Sequence, residues 1–313
     1  MASLYILVPR NVRALPRTDT SQIKSRMRAI CLMTSFSVMV YFPLTFCSLE
    51  PQHFPLAPQD ARPQQGDSTR TVTEIMSLQI TPLLGSSVPL LHTMVLFLGP
   101  LSIIIIKSRL LVAAGNRRRM ADAFYKVLVE EYGLPPTLGT SSWTSDQLRD
   151  LIVGPVTEEL CFRALIVPYL LSAGVRPLHC VFTAPLLFGF AHVHHGINRV
   201  RDGYPLSATI INTFFQFSYT YLFGAYATYA LLKTNDVSSA IACHSFCNFM
   251  GLPTFPSARE REVYVHRRWV YAAYACGLMG FVCGFKLYGG VSKPAGALGY
   301  CREVHQGYEQ GGD

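Results

Sequence analysis

Charge is what this sequence most lacks. Only 15% of its 313 residues are charged, against about 25% in a soluble globular protein. Half of the residues are hydrophobic, and the mean hydropathy is +0.26. The shortage excludes an ordinary water-facing surface over most of the chain. With several long uncharged runs, it implies a polytopic helical membrane protein. Other absences narrow the chemistry. The nine cysteines have neither disulfide nor zinc-framework spacing. Cys161, Cys243, Cys247, Cys276 and Cys283 lie in apolar runs and read as small lipid- or core-facing residues. No His-Glu-x-x-His occurs, which removes the zincin signature. No N-x-[ST] sequon occurs, so glycosylation gives no guide to sidedness. The opening MASLYILV is too short for a signal-peptide core, and Pro9-Arg10 stops it.

What charge there is carries information. The net charge of +8 is concentrated in a few segments between apolar runs. That is a topology signal, not a nucleic-acid footprint, and no nucleic-acid partner is expected. Residues 1–28 form a basic arm with Arg10, Arg13, Arg17, Lys24, Arg26 and Arg28. A first span is predicted over Ala29 to Cys47 and a second over Ser86 to Ile106, each long enough for about 30 Å of hydrocarbon. Between them, residues 48–85 form a loop rich in proline (Pro51, Pro55, Pro58, Pro63). Lys107, Arg109 and Arg117-Arg118-Arg119 follow the second span. The positive-inside rule puts the arm and the 107–150 loop in the cytosol and the Pro-rich loop in the lumen. Within 107–150, residues 120 onward read as an amphipathic helix or an ordinary surface connector. Further spans are predicted at Leu151 to Ala173, Leu178 to His195, Pro205 to Leu232, Val237 to Leu252 and Trp269 to Phe285. The expectation is an all-α, polytopic transmembrane bundle of about seven spans, forming one integral-membrane domain over 1–313.

Alternation makes the basic loops at 196–204 and 254–268 cytosolic too, and it fixes depth. At 1.5 Å per residue, Glu158 lies about two turns in from the cytosolic start of its span. His192 lies about one turn from the cytosolic end of its own. Asn248 and His244 lie about one and two turns from theirs. Polar residues of three helices therefore converge in the cytosolic half of the bilayer. A charge at a helix centre costs roughly 3 kcal/mol on insertion scales, and such residues are usually functional.

The residue types suit hydrolysis. Glu158 and Glu159 are adjacent and about 100° apart on a helix, so they point differently. Glu159 and Arg163 stand at the i,i+4 spacing of an ion pair. That leaves Glu158 to face substrate or water as a general base. The competing reading is one structural ion-pair knot. His192 ends FGFAH, with Phe188 four residues before it on the same face. It is the second group for activating water. His194 and His195 follow at the membrane edge and read as interfacial. His244 and Asn248 are i,i+4 and suit two donors to one oxyanion, with interhelical polar glue as the competing reading. No metal and no cofactor is expected.

These motifs resemble a known family. Glu158-Glu159-x-x-x-Arg163, Phe188-x-x-x-His192 and His244-x-x-x-Asn248 resemble the three motifs of the CPBP (Abi) membrane peptidases. The stretches GPVTEELCFRA, FGFAHVHH, FQFSYTYLFGAY and CHSFCNFMG are more similar still to the eukaryotic type II CAAX prenyl endopeptidases, the Ras-converting-enzyme family. The core of the resemblance is 148–253. It implies a multi-pass enzyme of the endoplasmic reticulum membrane, its site opening to the cytosol. The implied substrates are farnesylated or geranylgeranylated CAAX proteins such as small GTPases, which lose their last three residues. It implies a glutamate-dependent, metal-independent reaction. Glu158 and His192 would activate water, His244 and Asn248 would bind the oxyanion, and Glu159 with Arg163 would support the site. The family usually has one more span before the basic arm. Here only Leu4 to Val8 could be its remnant, which points to a truncated N-terminus. The alternative from another class is a non-catalytic CPBP-like scaffold or receptor for prenylated proteins.

Overall fold

The computed structural model describes residues 24–25, 27–28, 84–115, 119–135, 143–172 and 175–286. The expected first span and Pro-rich loop lie outside the described residues. The elements among the described residues are all helices, without strands, as the sequence implies. They divide into two compact units, one built on Val156–Ile241 and the other on Ser87–Pro155 with Ala242–Val291.

In the second unit, α1 (Leu84–Leu96) and α2 (Leu98–Ala113) meet at a 74° bend. The second span was expected over Ser86 to Ile106, which runs across both helices. The break has a local cause. Pro100 has no N–H to offer the carbonyl of Leu96, and its ring crowds that turn. Gly99 leaves the room that the Tyr274 ring occupies. The amphipathic α3 (Met120–Tyr132) ends at Gly133, whose φ of 67° closes a left-handed cap. Phe97, Ile104, Val127 and Met250 form the buried centre of this unit, with Phe246 and Phe249 packed against it.

A short α4 (Ser145–Leu148) opens a long helical run. It passes through a π turn at Arg149–Val153, α5 (Gly154–Glu159), a second π segment at Leu160–Leu165, and α6 (Ile166–Ser172). The expected third span is therefore helical but wound unevenly. In the first unit, α7 (Pro177–Arg201) and α8 (Leu206–Thr234) form an antiparallel pair. α7 runs through Arg199 and Arg201, which had been expected in a loop. Basic side chains in a last turn complement the negative end of the helix dipole. The pair crosses closely where Gly189 meets the Phe217 ring and Gly196 meets Thr213, as small residues allow in bundles. Asn235, at φ 54°, ends α8 and the chain turns into α9 (Val237–Met250). Ala164, Val167, Leu171, Cys180, Ala184 and Leu231 fill the core of this unit. The last helices among the described residues are α10 (Arg261–Val265) and α11 (Arg267–Gly284), in the second unit.

Among the described residues no single helix is long and apolar enough to cross a bilayer, and one bent pair, Ser87–Leu96 with Leu98–Ala113, reaches that length and composition jointly. Of the helices that carry the motifs, α5, α6 and α9 have 6, 7 and 14 residues, and the apolar part of α7 runs only over Pro177–Phe190. Their outer surfaces are a different matter. Leu178, Phe190, Ile211, Phe214 and Leu222 are all exposed in the first unit. Trp269, Leu278, Met279 and Val282 are exposed in the second.

Candidate active site

The nominated residues fall in both units: Glu158, Glu159, Arg163 and His192 in the first, His244 and Asn248 in the second. Each group is built by its own unit.

In the first unit, Glu159 is 0% exposed and Arg163 1%. Arg163 Nη1 donates to Glu159 Oε1 at 3.2 Å, and Nε lies 3.1 Å from Oε2. This is the ion pair that the i,i+4 spacing predicts. The π segment starting at Leu160 sharpens it. Winding with i→i+5 bonds puts more residues in each turn, so residues four apart stand more nearly in line than on an α-helix. Glu158 is half-buried and within electrostatic reach of Arg163.

The guanidinium is also held by aromatic faces. Its Cζ lies 4.5 Å from the Phe188 ring centroid and 5.8 Å from that of Phe223. Phe162 closes on Phe188 edge-on at 5.0 Å. A desolvated cation over a ring gains about 2 kcal/mol. Arg163 Nη2 is buried without a hydrogen-bond partner among the described residues. It lies against Gly224, where a Cβ would stand 3.2 Å from Nη2 and 3.0 Å from Pro185 Cβ. Phe188 thus acquires a physical role: it is the floor under the arginine. Phe223 and Gly224 were not nominated from the sequence. Their only sequence signal is the Phe-Gly pair within the FQFSYTYLFGAY stretch. His192 has its backbone on α7, one turn past Phe188. Its side chain, with those of His194 and His195, lies outside the described residues.

In the second unit, His244 and Asn248 lie one turn apart on α9. His244 is buried and Asn248 is exposed. Asn248 Nδ2 donates to the backbone carbonyl of Asp150 at 2.8 Å. A carboxamide has two N–H protons, and this bond uses one. Asp150 was not nominated either. Its carboxylate is engaged by Arg149, through Nε to Oδ1 at 2.6 Å and Nη2 to Oδ2 at 2.8 Å. That pairing pushes the guanidinium of Arg149 above its ordinary range. The segment is anchored upstream by a capping box. Gln147 N–H donates to Thr144 Oγ1 at 3.2 Å, and Thr144 N–H to Gln147 Oε1 at 2.9 Å.

Among the described residues no three His, Cys, Asp or Glu side chains cluster closely enough to hold a metal ion.

A family model for type II CAAX prenyl endopeptidase, Rce1-like, matches residues 140–250. CAAX prenyl protease 2 of Homo sapiens is 34% identical over 269 residues, which span 84% of this chain and 71% of that protein. The chain belongs to the type II CAAX prenyl endopeptidase family. The Rattus norvegicus CAAX prenyl protease 2 is 30% identical over 269 residues, 84% of this chain and 69% of that protein. The Caenorhabditis elegans CAAX prenyl protease 2 is 40% identical over 140 residues, which cover 43% of this chain and half of that protein. No solved structure matches. The family match spans both groups of nominated residues and the Asp150 carbonyl, and it leaves α10 and α11 outside.

Proposed function

We propose that this chain is an intramembrane endopeptidase that removes the last three residues of farnesylated or geranylgeranylated CAAX proteins. The observation that carries the mechanism is the division of labour between adjacent carboxylates. Glu159 is wholly buried and spent on Arg163, whereas Glu158 reaches solvent. A general base has to meet water, and Glu158 is the carboxylate of the pair that does. In this mechanism Glu158, assisted by His192, takes a proton from water. The hydroxide oxygen attacks the carbonyl carbon of the prenylcysteine residue. His244 and the second amide proton of Asn248 donate to the oxyanion. The carbon–nitrogen bond then breaks, and the proton held by Glu158 passes to the leaving amine of the tripeptide. Glu159, Arg163 and Phe188 keep Glu158 in register. No metal takes part.

In this proposal the protein lies in the endoplasmic reticulum membrane, as one domain of about seven spans whose site opens to the cytosol. The exposed leucine, isoleucine and phenylalanine side chains of α7 and α8 support it, because a water-facing surface rarely presents so many contiguous apolar groups. A prenylated substrate partitions to the same bilayer at about 0.8 kcal/mol per buried CH₂. The aromatics of α8, among them Phe214, Phe215 and Tyr219, are candidate walls for the lipid. Phe217 and Tyr221 are more inward, Phe217 against Phe190 and the Tyr221 hydroxyl donating to the Phe182 carbonyl.

The test is mass spectrometry of a farnesylated CAAX peptide incubated with membranes containing this chain. The proposal expects a product shortened by three residues from the prenylated peptide and none from its unprenylated counterpart. Retention of intact peptide without product would instead select a non-catalytic receptor for prenylated proteins.

A further inference from the structure

The Gly154-Pro155 pair precedes the glutamates, and its backbone chemistry reaches Asn248. On an α-helix the carbonyl of Asp150 would accept from the N–H of Gly154. Here the π turn takes that N–H for the carbonyl of Arg149 instead. The π-type donor for Asp150 would be residue 155, and Pro155 has no N–H. Both helical donors are therefore missing, and the Asp150 carbonyl accepts from Asn248 Nδ2 at 2.8 Å.

Glycine at 154 permits this winding. A Cβ there would stand 2.9 Å from the carbonyl oxygen of Arg149, closer than side-chain carbons approach backbone. The bond to Asp150 has two effects on Asn248. It fixes the plane of the carboxamide, and it fixes which end is the donor, because only the NH₂ end can serve a carbonyl. The second Nδ2 proton is then held in one direction. π turns inside α-helices frequently occur at functional sites.

We infer that the Gly154-Pro155 turn is a positioning device for Asn248: it withholds the helical donors from the Asp150 carbonyl so that this carbonyl orients the Asn248 amide for the reaction. The inference rests on the oxyanion role proposed for Asn248. Gly154 and Pro155 are positioning residues that act through the Asp150 carbonyl.

Pro155→Ala tests it by restoring an N–H that competes for the Asp150 carbonyl. The full chain is assayed in reconstituted membranes with a farnesylated CAAX peptide. The expected result is a fall of about tenfold or more in kcat, the scale of a small misplacement of a catalytic group, with KM within about twofold of wild type. Asn248→Ala is expected to lose about 10²–10³ in kcat. Adding Pro155→Ala to it should cost nothing further, since there is no amide left to orient. If Pro155→Ala does not accumulate, Gly154→Ala carries the same expectations by crowding the Arg149 carbonyl. Wild-type kcat in the turn variant, a loss confined to KM, or losses that multiply in the double variant would overturn the inference. Near-normal turnover in Asn248→Ala would instead overturn the oxyanion role on which it rests.

Discussion

Glu159→Gln isolates the ion pair beneath the site. The substitution keeps the side chain's size and removes its charge. Arg163 stays 1% exposed, and its contacts at 3.2 and 3.1 Å lose their anionic partner. The Phe188 and Phe223 rings offer nothing new, since they already face the guanidinium in the wild type. Stranding one member of a buried pair costs about 3–5 kcal/mol, more than a hundredfold in the ratio of folded to unfolded protein. Removing both charges is different. Apolar replacement of a whole buried pair is neutral or stabilising by about 1–4 kcal/mol. Glu159→Leu with Arg163→Met should therefore recover the stability that Glu159→Gln loses. It should remain slow in turnover, because Glu158 has lost its neighbouring cation. The assay is thermal unfolding of the purified protein in detergent, with turnover measured in parallel. Wild-type stability in Glu159→Gln, or no recovery in the double variant, would refute the buried-pair argument.

Gly224→Val should cost about 1–3 kcal/mol by overpacking, because its Cβ meets Pro185 at 3.0 Å and Arg163 Nη2 at 3.2 Å; an unchanged unfolding temperature would show slack where the geometry shows none. Activity should survive exhaustive chelation, with metal analysis of the purified protein finding no stoichiometric ion; a bound metal whose removal stops turnover would make ligands of His192 and His244. In sealed microsomes of a cysteine-free background, cysteines placed near Arg199 and Arg259 should react with an impermeant reagent added from the cytosolic side, and those near Pro58 should not; the reverse pattern would put the site in the lumen and remove cytosolic prenylated substrates.

Much of this was legible because apolar runs report helices directly. The runs at 178–195, 205–232 and 237–252 became α7, α8 and α9 with shifts of a few residues. The Glu159–Arg163 pair was legible because i,i+4 neighbours meet on a helix whatever surrounds it. What hydropathy does not report is winding. Nothing in the apolar pattern marks the π turns at Arg149–Val153 and Leu160–Leu165, nor the 74° bend near Phe97. The Gly99-Pro100 pair could have warned of that bend. Contacts between distant segments were also out of reach. Gly224 lies 61 positions from Arg163, and Asn248 lies 98 from Asp150. Only the fold shows that a missing Cβ or a displaced carbonyl serves those side chains.

In the mechanism proposed here Glu158 activates water for cleavage of a prenylated peptide. The direct measurement is turnover of the farnesylated CAAX peptide by Glu158→Gln, purified in the same yield as wild type and shown to bind the peptide equally well. The expected result is undiminished binding with product formation reduced at least a hundredfold, within the 10²–10⁴-fold contribution of a general base. Turnover within a few-fold of wild type would contradict it.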